Sequence, residues 1–243
     1  MNNEELNNLI YKALTLVSDD KYAEAKEIVC SILSQEGNLK LDKYHWQHMG
    51  DILLACKDFE AAINAYKFAD NPAAIAFVFI ISDNLNEAEK YVNISPSSPA
   101  ASWCRFLFDL FSLKKIKSPT TFLQIRHFLE MTVYYLLLAD NFLFIDILLK
   151  NMNKLSDVNL DAEKLIGYGY LNFGMPDEAE RFLKNATKRN KLDGEIYFML
   201  GRLYCMKNNF LEAMNMLQNA NLLLKEHMPT KELIEVVREK LSV

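Results

Sequence analysis

The sequence has little glycine and little proline. A chain of 243 residues with average usage would hold about 17 glycines and about 12 prolines, and this one holds 7 and 6. Because loop-rich β proteins need these residues in their turns, the shortage argues against that class. Apolar residues make up 51% of the chain and charged residues 24%, which is typical of a globular protein. We therefore expect an all-α protein with short turns.

Arginine is also scarce, and the chain carries no excess of positive charge. The formal net charge is -5, and 6 of the 27 basic residues are arginine, the side chain best suited to forked contacts with phosphate. We therefore expect no nucleic acid among the partners.

Three further features that would place the chain outside the cytoplasm are missing. The first residues are acidic, whereas a signal peptide begins with positive charge and an apolar run. The most apolar stretch, 128–149, is interrupted by Glu130, Asp140 and Asp146, so we expect no integral membrane segment. The four cysteines show no Cys-x-x-Cys spacing, which fits reduced thiols. These observations predict a cytoplasmic protein.

One pattern recurs six times along the chain. A polar turn is followed by a large residue or proline and then, three positions on, by Ala or once by Ile, namely at Ala25, Ala62, Ala88, Ile145, Ala179 and Ala213. Upstream of several turns, a large, a small and a large residue follow at offsets of four and three, as in Trp46, Gly50 and Leu53. These offsets place the three residues on one helix face, where the small one lets a neighbouring helix approach closely.

With these residues the chain resembles the tetratricopeptide repeat (TPR) family, whose unit is a pair of antiparallel helices in about 34 residues. Successive second-helix positions here are separated by 37, 26, 57, 34 and 34 residues. The resemblance implies a right-handed superhelical solenoid of helix pairs. We count about fourteen helices, of which the last has the polar face of a capping helix.

The interval of 57 residues marks an interruption of the array. It contains an extra helix, 100–113, that is apolar almost all round, and the proline-rich segment 95–99 precedes it. We expect three TPR-like units in 1–95, a hinge and the extra helix in 96–119, and three units with the capping helix in 120–243. The large apolar side chains of the extra helix must be covered by the solenoid or by a partner. They include Trp103, Phe106, Phe108 and Phe111.

No catalytic signature is present. The sequence lacks a phosphate-binding glycine loop, a dinucleotide fingerprint, a zinc-protease motif and a nucleophile elbow. We therefore expect no enzyme, no catalytic residue and no cofactor. His45, His48 and Asp51 are spaced so that part of the set could share a helix face, but Asp51 is turned away from His45 and no fourth ligand is evident. We therefore expect no metal site.

The resemblance implies that binding takes place on the concave surface, which first-helix residues line. The corresponding positions are Tyr44, Gln47, Asp51, Phe77, Glu130, Tyr134, Lys164, Tyr168, Phe198 and Arg202, and Phe108 joins them if its helix has the right phase. Aromatic residues prevail, and the Lys and Asn pattern of family members that clamp chaperone tails is absent. Such a groove suits an apolar or amphipathic peptide. The alternative for Phe77, Phe108 and Phe198 is a place in the core.

These features predict a non-enzymatic module that binds a segment of a client protein, as an adaptor or chaperone. The alternative is a structural scaffold or homo-oligomer that assembles through the apolar helix 100–113. An enzyme is the third and weakest hypothesis.

Overall fold

A computed structural model describes residues 3–35, 39–114, 122–155, 161–172 and 174–242 of the chain. These residues form fourteen helices and no strand, which confirms the expected all-α class and the helix count. The helices are α1 (Asn3–Ser18), α2 (Tyr22–Leu33), α3 (Lys43–Ala55), α4 (Phe59–Phe68), α5 (Pro72–Ile81), α6 (Leu85–Ile94), α7 (Pro99–Phe111), α8 (Phe122–Leu138), α9 (Phe142–Leu155), α10 (Ala162–Asn172), α11 (Pro176–Arg189), α12 (Gly194–Met206), α13 (Phe210–Leu223) and α14 (Met228–Leu241).

The chain divides into two compact units. The first comprises residues 1–120 and 138–144, and the second comprises 121–137 and 145–243. In the first unit, the hairpins α1–α2, α3–α4 and α5–α6 are followed by the single helix α7, which packs on α5 and α6. The second unit holds most of α8 and α9, the hairpins α10–α11 and α12–α13, and the single helix α14, which packs on α12 and α13.

The turns inside these hairpins and the turn between α8 and α9 share one backbone feature. Each contains a residue with positive φ, and these residues are Asp20, Lys57, Asp83, Asp140, Gly174 and Asn208. In the second hairpin, the Asp58 N–H donates to the Leu53 carbonyl at 2.9 Å and the Lys57 N–H donates to the Leu54 carbonyl at 3.1 Å. This is the Schellman termination of a helix. The Asp58 side chain then caps the next helix by accepting from the Ala61 N–H at 3.2 Å.

The small residues of the repeat lie where two helices of a hairpin meet. A Cβ atom on Gly50, Gly167 or Gly201 would lie 2.5 to 2.7 Å from Tyr66, Leu183 or Leu217, respectively. In each pair the large residue follows the glycine by 16 positions. The buried pairs Ala13 with Val29 and Ala76 with Val92 have the same spacing. The repeat in the sequence therefore reflects a helix crossing that recurs from hairpin to hairpin.

Helix α7 is covered by the chain itself. The side chains of Trp103, Phe106, Phe108 and Phe111 are all buried, with at most 6% of their surface exposed. The Phe111 ring stacks on the Phe144 ring with centroids 4.0 Å apart, and Cys104 Sγ donates to the Ala73 carbonyl at 3.3 Å. These four side chains form part of the core of the first unit, so in this structure they are not exposed as the predicted interface.

Helix α14 has the two faces expected of a cap. Ile234 and Val237 are buried in a cluster with Ala213 and Leu217, whereas the charged residues of 235 and 238–240 are exposed. None of the helices in the described parts of the chain combines the length and the apolarity needed to cross a membrane.

Candidate functional site

A groove of about 440 Å³ on α8 and α10 brings together three of the predicted binding residues. Glu130 and Tyr134 reach it from α8, and Tyr168 reaches it from α10. The remaining lining residues are His127, Met131, Leu165, Gly169 and Asn172. The groove lies entirely within the second unit.

The spacing of these residues explains why they converge. On α8, positions 127, 130, 131 and 134 form one helix face, and on α10, positions 165, 168, 169 and 172 do the same. Gly169 lets the two helices approach, because a Cβ atom on it would lie 2.5 Å from Val133 Cγ1. The result is a shallow, continuous strip of side chains from both helices.

The groove combines apolar area with a polar edge. Tyr134 and Tyr168 are partly exposed, and the Tyr134 ring stands edge-on to Tyr135 with centroids 5.0 Å apart. Met131 is also partly exposed and adds a flexible apolar side chain. The Glu130 carboxylate is the one acidic group in the lining, which includes no Lys or Arg among the described residues. Such a surface can bury an apolar side chain and hydrogen-bond its polar neighbours.

Lys164 is not available to a ligand, contrary to its predicted place in the groove. Its side chain is buried, and its Nζ donates to Asp193 Oδ2 at 2.8 Å and to Glu195 Oε2 at 2.9 Å, with Asp161 Oδ1 at 3.6 Å. Burial by itself would lower the pKa of Lys164, but the hydrogen bonds to Asp193 and Glu195 outweigh it, so the pKa is raised. The ammonium therefore ties α10 to the start of α12. Its partners are 29 and 31 residues away in sequence.

In the first unit, Gln47 and Asp51 belong to a hydrogen-bond network. Asp51 Oδ1 accepts from the Tyr66 hydroxyl at 2.8 Å and from Gln47 Nε2 at 2.9 Å, while Gln47 Oε1 accepts from Asn71 Nδ2 at 2.8 Å. Burial raises the pKa of Asp51 in spite of these bonds. Asn71 was not identified from the sequence. Its position before Pro72, at the N-cap of α5, is the pattern that could have marked it.

The other residues of the first unit that were considered for binding or for a metal site have different surroundings. Tyr44 is exposed and sets its ring edge-on to His48, with centroids 4.2 Å apart. Phe77 is buried in the core, so its place in the groove was wrong and the core alternative holds. His45 Nε2 lies 3.1 Å from Asn7 Oδ1, whereas His48 Nδ1 lies 3.8 Å from Asp51 Oδ2, so the two rings face different partners.

In the second unit, Phe198 and Arg202 lie outside the groove on α8 and α10. Phe198 packs against the cluster formed by α13 and α14, and its ring stands edge-on to the His227 ring with centroids 4.8 Å apart. Arg202 is partly exposed on α12. Sequence reasoning also missed a second groove, of about 740 Å³, on α11, α12 and α13. Its signal in the sequence is the spacing of Lys184 and Lys188 on α11, with Lys191 two residues beyond the end of that helix.

Comparison with known proteins gives distant similarities. No protein-family model matches the chain, and no curated protein matches its sequence significantly. A solved tetratricopeptide repeat protein from Parabacteroides merdae shares 13% identity, with 97% of this chain and 100% of that chain covered and a TM-score of 0.41. A chain of the APC/C hetero-tetramer Cut9-Hcn1 shares 12% identity, with 94% of this chain and 42% of that chain covered and a TM-score of 0.38.

These similarities are too distant to carry a functional argument. The fold instead follows from the hairpins themselves, which repeat one turn geometry and one glycine or alanine crossing. The chain is an all-α helical-repeat protein built from TPR-like hairpins.

Proposed function

We propose that the chain is a non-enzymatic protein-interaction module whose groove on α8 and α10 binds an apolar or amphipathic segment of a client protein. The observation that carries this proposal is the convergence of Glu130, Tyr134 and Tyr168 on one strip, next to Met131 and Leu165. An adaptor or a chaperone would use such a strip in the same way, because both hold an exposed segment of another protein.

The chemistry of the strip favours an apolar anchor over a charged one. Aromatic rings bury a large area at a small loss of rotamer entropy, and burial of one large apolar side chain stabilises a complex by about 1.5–3 kcal/mol. A micromolar complex needs about 8 kcal/mol in total, so several side chains of the client must contribute. The volume of about 440 Å³ lies within the range of ligand pockets.

Peptide selection tests the proposal. Random peptides displayed on phage are selected on the intact chain, and the dissociation constants of the enriched peptides are measured by fluorescence anisotropy. We expect enriched peptides to carry large apolar residues and to lose about tenfold or more in affinity on Tyr168→Ala, since a central aromatic anchor contributes about 1.4 kcal/mol or more.

Tyr11→Ala is the matched control. Tyr11 is 74% exposed on α1 and lies outside the groove, so its replacement removes the same chemical group without touching the strip. Circular dichroism shows whether each variant keeps its helices. If enriched peptides bind wild type, Tyr168→Ala and Tyr11→Ala equally well, the groove on α8 and α10 is not the binding site.

A further inference from the structure

The groove on α11, α12 and α13 is a separate surface of the second unit. Its lining residues form three stripes, one on each helix. Helix α11 contributes Glu180, Lys184, Thr187 and Lys188, and Lys191 follows its end. Helix α12 contributes Tyr197, Leu200 and Tyr204, and Asn209, Glu212 and Met216 come from α13 and its N-cap. Since α12 packs on both α11 and α13, its stripe forms the floor and the other two form the rims. No lining residue is shared with the groove on α8 and α10.

The floor is apolar and the α11 rim is basic. Leu200 is buried, and Tyr197, Tyr204 and Met216 are partly exposed, so they present rings and a thioether to the groove. On the α11 rim, Lys184 and Lys188 are four residues apart and so lie on one face of the helix, and Lys191, two residues beyond its end, also lines the groove.

At one end of this rim, ion pairs within the chain neutralise the lysine charge. Glu180 lies 2.6 Å from Lys184 Nζ and 2.6 Å from Lys207 Nζ, and it accepts from the Tyr204 hydroxyl at 3.1 Å. Lys207 also lies 2.6 Å from Asp177. The two acids and two lysines of this cluster cancel one another, so it adds no net charge to the groove.

The other end of the rim keeps its positive charge. Neither Lys188 nor Lys191 forms an ion pair within the described part of the chain, and Lys188 Nζ has only Asn185 Oδ1, at 3.4 Å. The opposite rim carries one carboxylate, Glu212, in the first turn of α13. The groove is therefore positive along α11 and negative along α13, on a chain whose formal net charge is -5.

We propose that this groove binds an acidic amphipathic segment of a partner protein. The carboxylates of the segment pair with Lys188 and Lys191, and an apolar side chain packs on Tyr197, Leu200 and Met216. Because the two rims differ in sign, the acidic side of the segment faces α11 and its neutral or basic side faces Glu212. The overall negative charge repels acidic segments elsewhere, so the lysine rim supplies the selectivity.

Two designed peptides test the proposal. One is an amphipathic helix with Glu on its polar face and Leu, Phe or Met on its apolar face, and the other has Lys in place of each Glu. Binding of each to the intact chain is followed by fluorescence anisotropy at low salt. We expect the Glu peptide to bind and the Lys peptide to bind at least about tenfold more weakly. Added salt is expected to weaken the complex with the Glu peptide.

Variants of both rims decide where the peptide binds. Lys188→Glu combined with Lys191→Glu is expected to weaken the Glu peptide about tenfold, and Glu212→Lys is expected to strengthen it about threefold. The control combines Lys12→Glu with Lys40→Glu, two exposed lysines of the first unit, and changes the net charge equally.

Tyr168→Ala separates this proposal from the one for α8 and α10: if it weakens the Glu peptide while the variant with both Lys188→Glu and Lys191→Glu does not, the peptide occupies the groove on α8 and α10 and the inference is overturned. The inference is overturned if the Glu peptides do not bind, if Glu and Lys peptides bind alike, or if the variant with both Lys188→Glu and Lys191→Glu behaves like the control.

Discussion

The contact between Gly201 and Leu217 tests the helix crossing on which the fold depends. A Cβ atom on Gly201 would lie 2.6 Å from both Cγ and Cδ2 of Leu217, which is fully buried against Ala213, Ile234 and Val237. Neither leucine carbon can move far, because protein cores are packed as densely as crystals. We therefore predict that Gly201→Ala destabilises the second unit although it improves helix propensity.

The magnitude follows from two opposing effects. Overpacking in a filled core destabilises by about 1–3 kcal/mol, while Ala in a helix interior stabilises by about 1 kcal/mol relative to Gly. The net expectation for Gly201→Ala is a loss of about 1 kcal/mol. Leu217→Ala alone leaves a cavity and is expected to lose about 2–5 kcal/mol.

The double variant measures the contact itself. In Gly201→Ala with Leu217→Ala, the new methyl group occupies part of the space that the leucine leaves. We expect the double variant to lose less stability than the two single variants together, by about 1–2 kcal/mol. Urea denaturation followed by circular dichroism gives the free energies of unfolding, and hydrogen exchange on α12 and α13 assigns them to this hairpin.

Gly50→Ala with Leu217→Ala is the matched control, because Gly50 contacts Tyr66 in the first unit. Its two effects are expected to add within about 0.5 kcal/mol. If the effects of Gly201→Ala and Leu217→Ala also add, the two side chains do not share space and the proposed crossing is wrong.

Two further predictions concern the hairpin turns and the ion pairs. Lys57 has φ of 61°, a conformation that favours glycine, so Lys57→Gly is expected to raise the free energy of unfolding by about 1 kcal/mol; an unchanged or lower melting temperature would contradict this. The hydrogen bonds from Lys184 and Lys207 lower the pKa of Glu180 from 4.5 to about 2. Because the folded pKa is depressed, the stability from Glu180 is present above pH 4.5 and is lost as the pH falls toward 2. The difference in urea midpoint between wild type and Glu180→Gln should therefore shrink across this window, and a constant difference would contradict the assignment.

Local patterns in the sequence predicted the hairpins well. Offsets of three and four residues define a helix face, and turn residues such as Asp58 announce both the end of one helix and the cap of the next. Gly50, Gly167 and Gly201 could be assigned to helix crossings because glycine is unfavourable in a helix interior without a packing reason. Each of these signals lies within one repeat.

The contents of the candidate sites were harder to predict, because they depend on contacts between repeats. The sequence gives the phase of Lys164 on α10 but does not show that Asp193 and Glu195 surround it. It likewise gives the apolar surface of α7 but does not show that the chain's own helices cover it. Glu130, Tyr134 and Tyr168 could be predicted to converge, because they lie beside a single helix crossing at Gly169. For one crossing, the position of each residue around its helix is enough to predict which side chains meet.

The binding role of the groove on α8 and α10 is tested most directly by hydrogen exchange of the intact chain with and without a selected apolar peptide. Binding slows exchange where the peptide covers and orders the backbone, and each peptic fragment reports its own helix. The account predicts that protection concentrates on α8 and α10, around positions 127–134 and 165–172, and that Tyr168→Ala removes it. Protection confined to other helices, or protection on α8 and α10 that survives Tyr168→Ala undiminished, would contradict it.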